Sequence, residues 1–424
     1  MKRKHSFVAM VSTLTLCLAL SIPLTASAEN ETILSHIYTS PQITGGTNDH
    51  PLRNLWINGE YMYLCEEGGS ALSTWDISNP EIPTKISSIP MPNMPIDIKG
   101  EGQYLYVSAR NLLVVLSIAN PSLPVIVGTV STPAGGLLHG IYLYGERIYA
   151  ADFSANTLVI FNVSNPTAPY TESQLNHSSL TGIHDVVVEW PFAYVSSHGP
   201  NLPRSHIPQY TGKVVQIDVS DPTSPQIVWV STEGAQFCHI TKSGNHIFAG
   251  GAFPTHSYLY AYDISGSIPC LAGKVTSVLG YWIAITGEFA ITVNCDKQLA
   301  VVDISNPNSM SVVARWSSPE ARVLRNVVIN NEYVYAVSGN RIYGFLLQGG
   351  EEEPPPPEPD PPAPDPPAPD PDPPTPEPTT CFPMGDLIDS STHIQISEDT
   401  YLALFPEEVV EGSPYKVRGV IFSK

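Results

Sequence analysis

The chain has 424 residues, with 40 acidic against 20 basic side chains, a net charge of −20 and 42 prolines. A carboxylate excess of this size, without clustered Lys and Arg, argues against a nucleic-acid or anionic-membrane surface. Many of the acids and prolines crowd into residues 351–380, so the body of the chain is only moderately acidic.

In chain order, Lys2, Arg3 and Lys4 precede an apolar run from Val8 to Leu24 and then Ala26-Ser27-Ala28. That order of charge, apolar core and small-residue exit is a secretory signal peptide over residues 1–28, so a secreted or cell-surface product is expected. No later stretch has the unbroken apolar length needed to cross a bilayer, and no transmembrane segment is expected.

From residue 29 to about 350 the chain repeats. A corner phrase, Trp75-Asp76-Ile77-Ser78-Asn79-Pro80, returns as Leu116-Ser117-Ile118-Ala119-Asn120-Pro121, Phe161-Asn162-Val163-Ser164-Asn165-Pro166, Ile217-Asp218-Val219-Ser220-Asp221-Pro222, Tyr262-Asp263-Ile264-Ser265-Gly266 and Val302-Asp303-Ile304-Ser305-Asn306-Pro307. A turn phrase, Gly59-Glu60-Tyr61-Met62-Tyr63, aligns Tyr63 with Tyr106, Tyr149, Tyr194, Phe248, Ile291 and Tyr335, at steps of 43, 43, 45, 54, 43 and 44 residues. Within the first unit, Leu55–Asn58, Tyr61–Leu64, Leu72–Ile77 and Lys85–Ile89 read as strands separated by Gly, Asn and Pro turns. Repeated four-stranded units of this length make a β-propeller. The seventh unit lacks its fourth strand, and Thr32 to Tyr38 supplies a candidate that would close the ring.

These two phrases resemble the LVIVD repeat family, over about residues 31–348. The resemblance implies an all-β, seven-bladed propeller on an exported or surface protein, and it implies no catalytic motif. Ser117 and Asn162 depart from the usual Asp, Ser265 is not followed by Asn-Pro, and the seventh unit lacks the corner.

In a propeller, the start of each blade's innermost strand meets its equivalents at one mouth of the central channel. Ten residues before each aligned position stand Arg53, Ile96, His139, His184, Cys238, Tyr281 and Arg325. His50, His177, His198, Arg204, His206, His239 and His256 fall in loops or strand starts of the same predicted face, whereas His246 falls on the opposite one. The insertion Ser197 to His206 accounts for the longest step.

Three uses fit such a rim. Polar side chains line a wet channel; or Arg53 and Arg325 offer fork-shaped donors to a carboxylate on a protein or carbohydrate partner; or His139 and His184 act as bases, Tyr281 as an acid and the arginines as charge stabilisers on an anionic polysaccharide. Metal-assisted hydrolysis would draw on His184, His198 and His239 with Asp185 or Asp152, but no metal-ligand spacing supports it and no metal or cofactor is expected. No phosphate loop, dinucleotide fingerprint or nucleophile elbow is present. The Asp residues of the corners are expected to cap backbone N–H groups.

After the repeats, residues 351–380 form a Pro-, Asp- and Glu-rich stretch expected to be an extended polyproline spacer. Residues 381–424 hold two β-like runs and are expected to form a small segment that could serve surface attachment. Five cysteines remain after the leader, Cys65, Cys238, Cys270, Cys295 and Cys381, an odd number that leaves at least one thiol outside any internal pair.

Overall fold

A computed structural model describes residues 33–43, 52–133, 135–199, 211–251, 258–276, 278, 280–293, 297–348, 393–397, 400–404 and 419–423. The expected leader, the proline-rich stretch, Cys295 and Cys381 lie outside the described residues. Among the described residues no helix is long and apolar enough to cross a membrane.

Seven four-stranded antiparallel sheets account for residues 34–347. Blade 1 runs Leu52–Asn58, Tyr61–Glu66, Ala71–Asp76 and Thr84–Pro90 from the inside outward. Blades 2 to 6 follow the same order, with innermost strands Pro95–Glu101, Leu138–Tyr144, Ile183–Glu189, Phe237–Ser243 and Trp282–Thr286. Blade 7 comprises Leu324–Asn330, Tyr333–Ser338 and Arg341–Leu347, and its outermost strand is Leu34–Thr39 from the other end of the chain.

That closing strand pairs Leu34 with Leu347 and His36 with Phe345, and after an irregularity Tyr38 with Gly344. Buried Ser40 extends the join: its N–H donates to Ile342 O at 2.9 Å, and its hydroxyl accepts from Ile342 N at 2.9 Å. The third strand of blade 7 would otherwise present an unpaired edge.

Seven apolar clusters occupy the seven gaps between neighbouring blades. One of them joins Tyr335, Val337 and Ile342 of blade 7 to Leu52, Met62 and Leu64 of blade 1, which completes the circle. The second and third strands of each blade are therefore buried on both faces, and that is why they read as apolar runs rather than alternating patterns.

The two repeated phrases are bonded to each other. Ile77 N donates to Glu60 O at 2.8 Å, and the equivalent bonds are Ile118 to Gln103, Val163 to Glu146, Val219 to Pro191, Ile264 to Asn245, Ile304 to Glu288 and Leu347 to Glu332. Within the corners, Asp76, Asp218, Asp263 and Asp303 accept from the N–H of the Ser two residues on, at 2.8–2.9 Å. These hydrogen bonds hold the four carboxyls below the usual carboxylate range. Asn162 and Ser117 make the same bond through an amide and a hydroxyl oxygen, so the departures from Asp keep the turn. The corners also reach the preceding blade: Pro121 O accepts from Tyr63 Oη at 3.0 Å, and Pro83 O from Tyr38 Oη at 3.2 Å.

Residues 353–424 form a second unit, separate from the propeller. Its described strands, His393–Ser397, Thr400–Leu404 and Gly419–Ser423, form an antiparallel sheet in that order. Cys65 is a buried free thiol, Cys238 is buried beside His198, and Cys270 is free and exposed.

Candidate functional site

The innermost strands begin three residues earlier in blade 1 than the sequence pattern shows, and the added turn of chain is where the site is made. In six blades the pairing of the innermost with the second strand shifts register at that start, between Leu52 and Leu55, Pro95 and Asp97, Leu138 and Ile141, Ile183 and Asp185, Phe237 and His239, and Leu324 and Asn326. A bulge re-aims a side chain that a regular strand would bury. Arg53, Ile96, His139, His184, Cys238 and Arg325 all sit inside these shifts.

Arg53, Ile96, His139, His184, Tyr281 and Arg325 line one axial cavity of about 20 Å³, room for about one water. His139 lies edge-on to His184 with ring centroids 4.4 Å apart, and His198 stacks on the other side of His184, also at 4.4 Å. Phe153 stacks on His139 at 4.9 Å and meets His198 at 5.5 Å. The His198 Nε2 lies 3.0 Å from Cys238 Sγ, and the Tyr281 ring is 6.3 Å from His184.

Burial keeps these imidazoles neutral. His139 is pushed down to about 3, first by desolvation and then by the charge of Arg53, and His198 is pushed down to about 4 by desolvation. His184 is held well below the ordinary imidazole value by burial and then by His139 and His198. Arg53 is engaged by Glu67, which it contacts through Nε and, at 3.1 Å, through an Nη. Burial works against its charge, but the Glu67 and Tyr281 contacts outweigh it and raise its pKa.

His239 does not line this cavity. Its Nε2 is 3.3 Å from Asp185 Oδ2, and its ring packs on Trp282 at 4.0 Å, in a buried belt one residue outward from the axis. That belt locks blades together. Asp97 of blade 2 accepts from Asn54 Nδ2 of blade 1 at 2.7 Å, from Ile141 N of blade 3 at 2.9 Å and from Lys99 Nζ at 3.0 Å. Asp185 of blade 4 likewise accepts from Ile240 N of blade 5 at 3.1 Å. Burial, and then the charge of Asp97, push the Asp185 carboxyl up to about 7.

Asp185 is thus a blade-to-blade acceptor. Asp152, the other carboxylate considered for a metal shell, accepts from Leu137 N at 3.0 Å and Ala155 N at 3.1 Å. Among the described residues no group of three or more His, Cys, Asp or Glu is arranged to hold a metal ion. His177 caps a short 3₁₀ turn, its Nδ1 accepting from Ser179 N at 3.1 Å. Arg204, His206 and His256 lie outside the described residues.

Phe153, Glu67 and His198 come from one further position, four residues after the aligned aromatic in blades 3, 1 and 4. Scanning that column would have found Phe153 and Glu67, which the innermost-strand column misses. Beside Phe153 a groove of about 470 Å³ opens between blades 3 and 4, lined by Leu137, Ser154, Asn156, Thr181, Gly182 and Gly199.

The LVIVD repeat profile matches residues 52–89, 96–132, 135–176 and 281–317, which are blades 1, 2, 3 and 6. The chain is a seven-bladed β-propeller that carries LVIVD repeats in four of its blades. Blades 4, 5 and 7 of this LVIVD propeller carry the long insertion, the corner without Asn-Pro and the composite sheet, respectively. No curated protein sequence matches the chain. Among solved structures, the mitotic checkpoint complex contains a chain similar over 80% of this chain and 99% of that one, with a TM-score of 0.58 and 9% identity. The WD40 β-propeller domain of Doa1 is similar over 75% and 98%, with a TM-score of 0.56 and 10% identity. A computationally designed protein, Ika8, is similar over 74% and 100%, with a TM-score of 0.50 and 8% identity. At such identities the likeness is one of fold.

Proposed function

We propose that the LVIVD propeller is an exported binding module whose upper face, around the axial mouth and the Phe153 groove, holds a protein or carbohydrate partner. The observation that carries this reading is the state of the imidazoles. His139, His184 and His198 are packed ring against ring and held neutral, which makes them fixed hydrogen-bonding and stacking surfaces. A base whose conjugate acid ionises at about 3 is a weak one, because proton-transfer efficiency follows pKa, so lyase chemistry through His139 is disfavoured. The Arg53–Glu67 pair further reduces the charge available to a transition state. The basic, apolar and small-residue order of residues 1–28 supports export.

The experiment compares wild type with the His139→Ala/His184→Ala/Arg325→Ala variant, checked for folding by circular dichroism, on peptide and glycan arrays. Binding that falls at least tenfold in the variant, with no product released from any uronate polymer, supports the module. A product formed by wild type and not by the variant refutes it in favour of an enzyme.

A further inference from the structure

The opposite, lower face carries the turns that join innermost to second strands, and six of the seven are built alike. Their second position is Gly59, Gly102, Gly145, Gly244, Gly287 or Asn331, each with φ between +50° and +59°. In blade 4 that position is Trp190. The position just before it is Asn58, Glu101, Glu189, Ser243, Thr286 or Asn330 in six blades, and Tyr144 in blade 3.

These two departures fall on neighbouring blades and meet. The Tyr144 and Trp190 rings are parallel within 3°, with centroids 6.1 Å apart. Both remain open to water, at 41% and 45% exposure. Six other copies of each position do without an aromatic ring.

An ion pair flanks the rings on each side. Arg147, paired across the turn with Tyr144, donates from Nε and an Nη to the Glu172 carboxylate at 2.7 and 3.0 Å. Glu189, next to Trp190, pairs with Lys242 at 2.8 Å. The surface is therefore aromatic and bordered by two ion pairs and by the exposed carboxylate of Glu146 in the same turn as Tyr144.

We propose that Tyr144 and Trp190 form a binding platform for a neutral polysaccharide. The C–H face of a sugar ring stacks on an aromatic face, while hydroxyls projecting in the plane of the sugar reach carboxylate and guanidinium edges. Charge favours an uncharged occupant over an anionic one, because the carboxylates of Glu146, Glu172 and Glu189 outnumber the cations Arg147 and Lys242 beside the rings. The platform is on the face opposite the imidazole cluster and does not depend on that cluster's role.

Native affinity electrophoresis of the full chain in gels containing β-glucan, xylan or galactomannan tests the proposal. Wild type is retarded by at least one of them. Trp190→Asn and Tyr144→Asn, which install the residues that other blades carry at these positions, each weaken retardation at least tenfold with an unchanged melting temperature. The His139→Ala/His184→Ala variant is retarded as wild type, so failure here and failure of the upper-face reading are distinguishable. Oxidative footprinting of Trp190 in the unaltered protein gives a second measurement, with protection by the retarding polysaccharide expected. No retardation by any neutral polymer, retardation unaffected by both variants, or capture of a protein at this surface in place of sugar overturns it.

Discussion

Acidification from pH 7.5 to 5.0 destabilises the propeller through its buried imidazoles. His139 and His198 are held down to about 3 and about 4, and His184 and His239 well below the ordinary value, with desolvation the largest cause for each. In the unfolded chain these groups take up protons as the pH falls through about 6.5. The folded chain does not protonate them until far lower, so from about 6.5 down to about 4 the unfolded state binds more protons and stability falls with the pH. At pH 5 each neutral imidazole contributes a loss of about 2 kcal/mol, and four together about 8 kcal/mol. Asp185 acts in the other direction. Its carboxyl is raised from 3.8 to about 7, so between those values the folded state holds a proton that the unfolded state lacks. That returns about 3 kcal/mol by pH 5. The net loss of about 5 kcal/mol matches the whole stability of a marginal domain and lowers Tm by roughly 7 °C. Circular-dichroism melts at pH 7.5, 6.5, 5.5 and 5.0 read it, and His198→Gln, with one imidazole fewer, shows a shallower fall below pH 6.5. A Tm that stays level down to pH 5.0, or a variant whose fall equals that of wild type, refutes the reasoning.

Deleting residues 30–40 removes the outermost strand of blade 7, and with it the Ser40 bonds to Ile342. The whole propeller melts at a lower temperature by calorimetry, and an unchanged melting temperature counts against closure as a source of stability. Asp97→Ala leaves Asn54, Ile141 N and Lys99 without their shared acceptor. Urea unfolding registers a loss of about 3 kcal/mol or more, and a change below about 1 kcal/mol shows that the belt does not tie blades 1, 2 and 3.

The blade count and the closure were legible because the repeat supplies many readings of one local structure. A corner Asp that accepts from the Ser two residues on, beside a turn carbonyl that binds the corner backbone, requires the same residue types each time. The convergence of Arg53, His139, His184, Tyr281 and Arg325 followed from counting back from the aligned aromatics. What those side chains bond to did not follow. Glu67 is far from Arg53 in the repeat's own terms, and only the bulge at the strand start shows that the guanidinium turns to it rather than outward. His239 looked equivalent to its neighbour Cys238, yet the period of two along a strand sends adjacent side chains to different sides, and the imidazole enters the Asp185 belt.

A repeat protein provides its own internal reference for telling scaffold from site. Seven blades place the same backbone in nearly the same surroundings, so whatever the fold needs at a position should recur there, as the aromatic of the second strand and the Gly of the lower turn do. A residue that breaks its column without leaving a burial or hydrogen-bonding need unmet is under another constraint. Asn162 for Asp breaks the column and keeps the bond, so it stays scaffold. Trp190 for Gly places an indole in water beside another exposed ring. The same comparison keeps Asp97 and Asp185 with the scaffold, because their bonds to the next blade explain them.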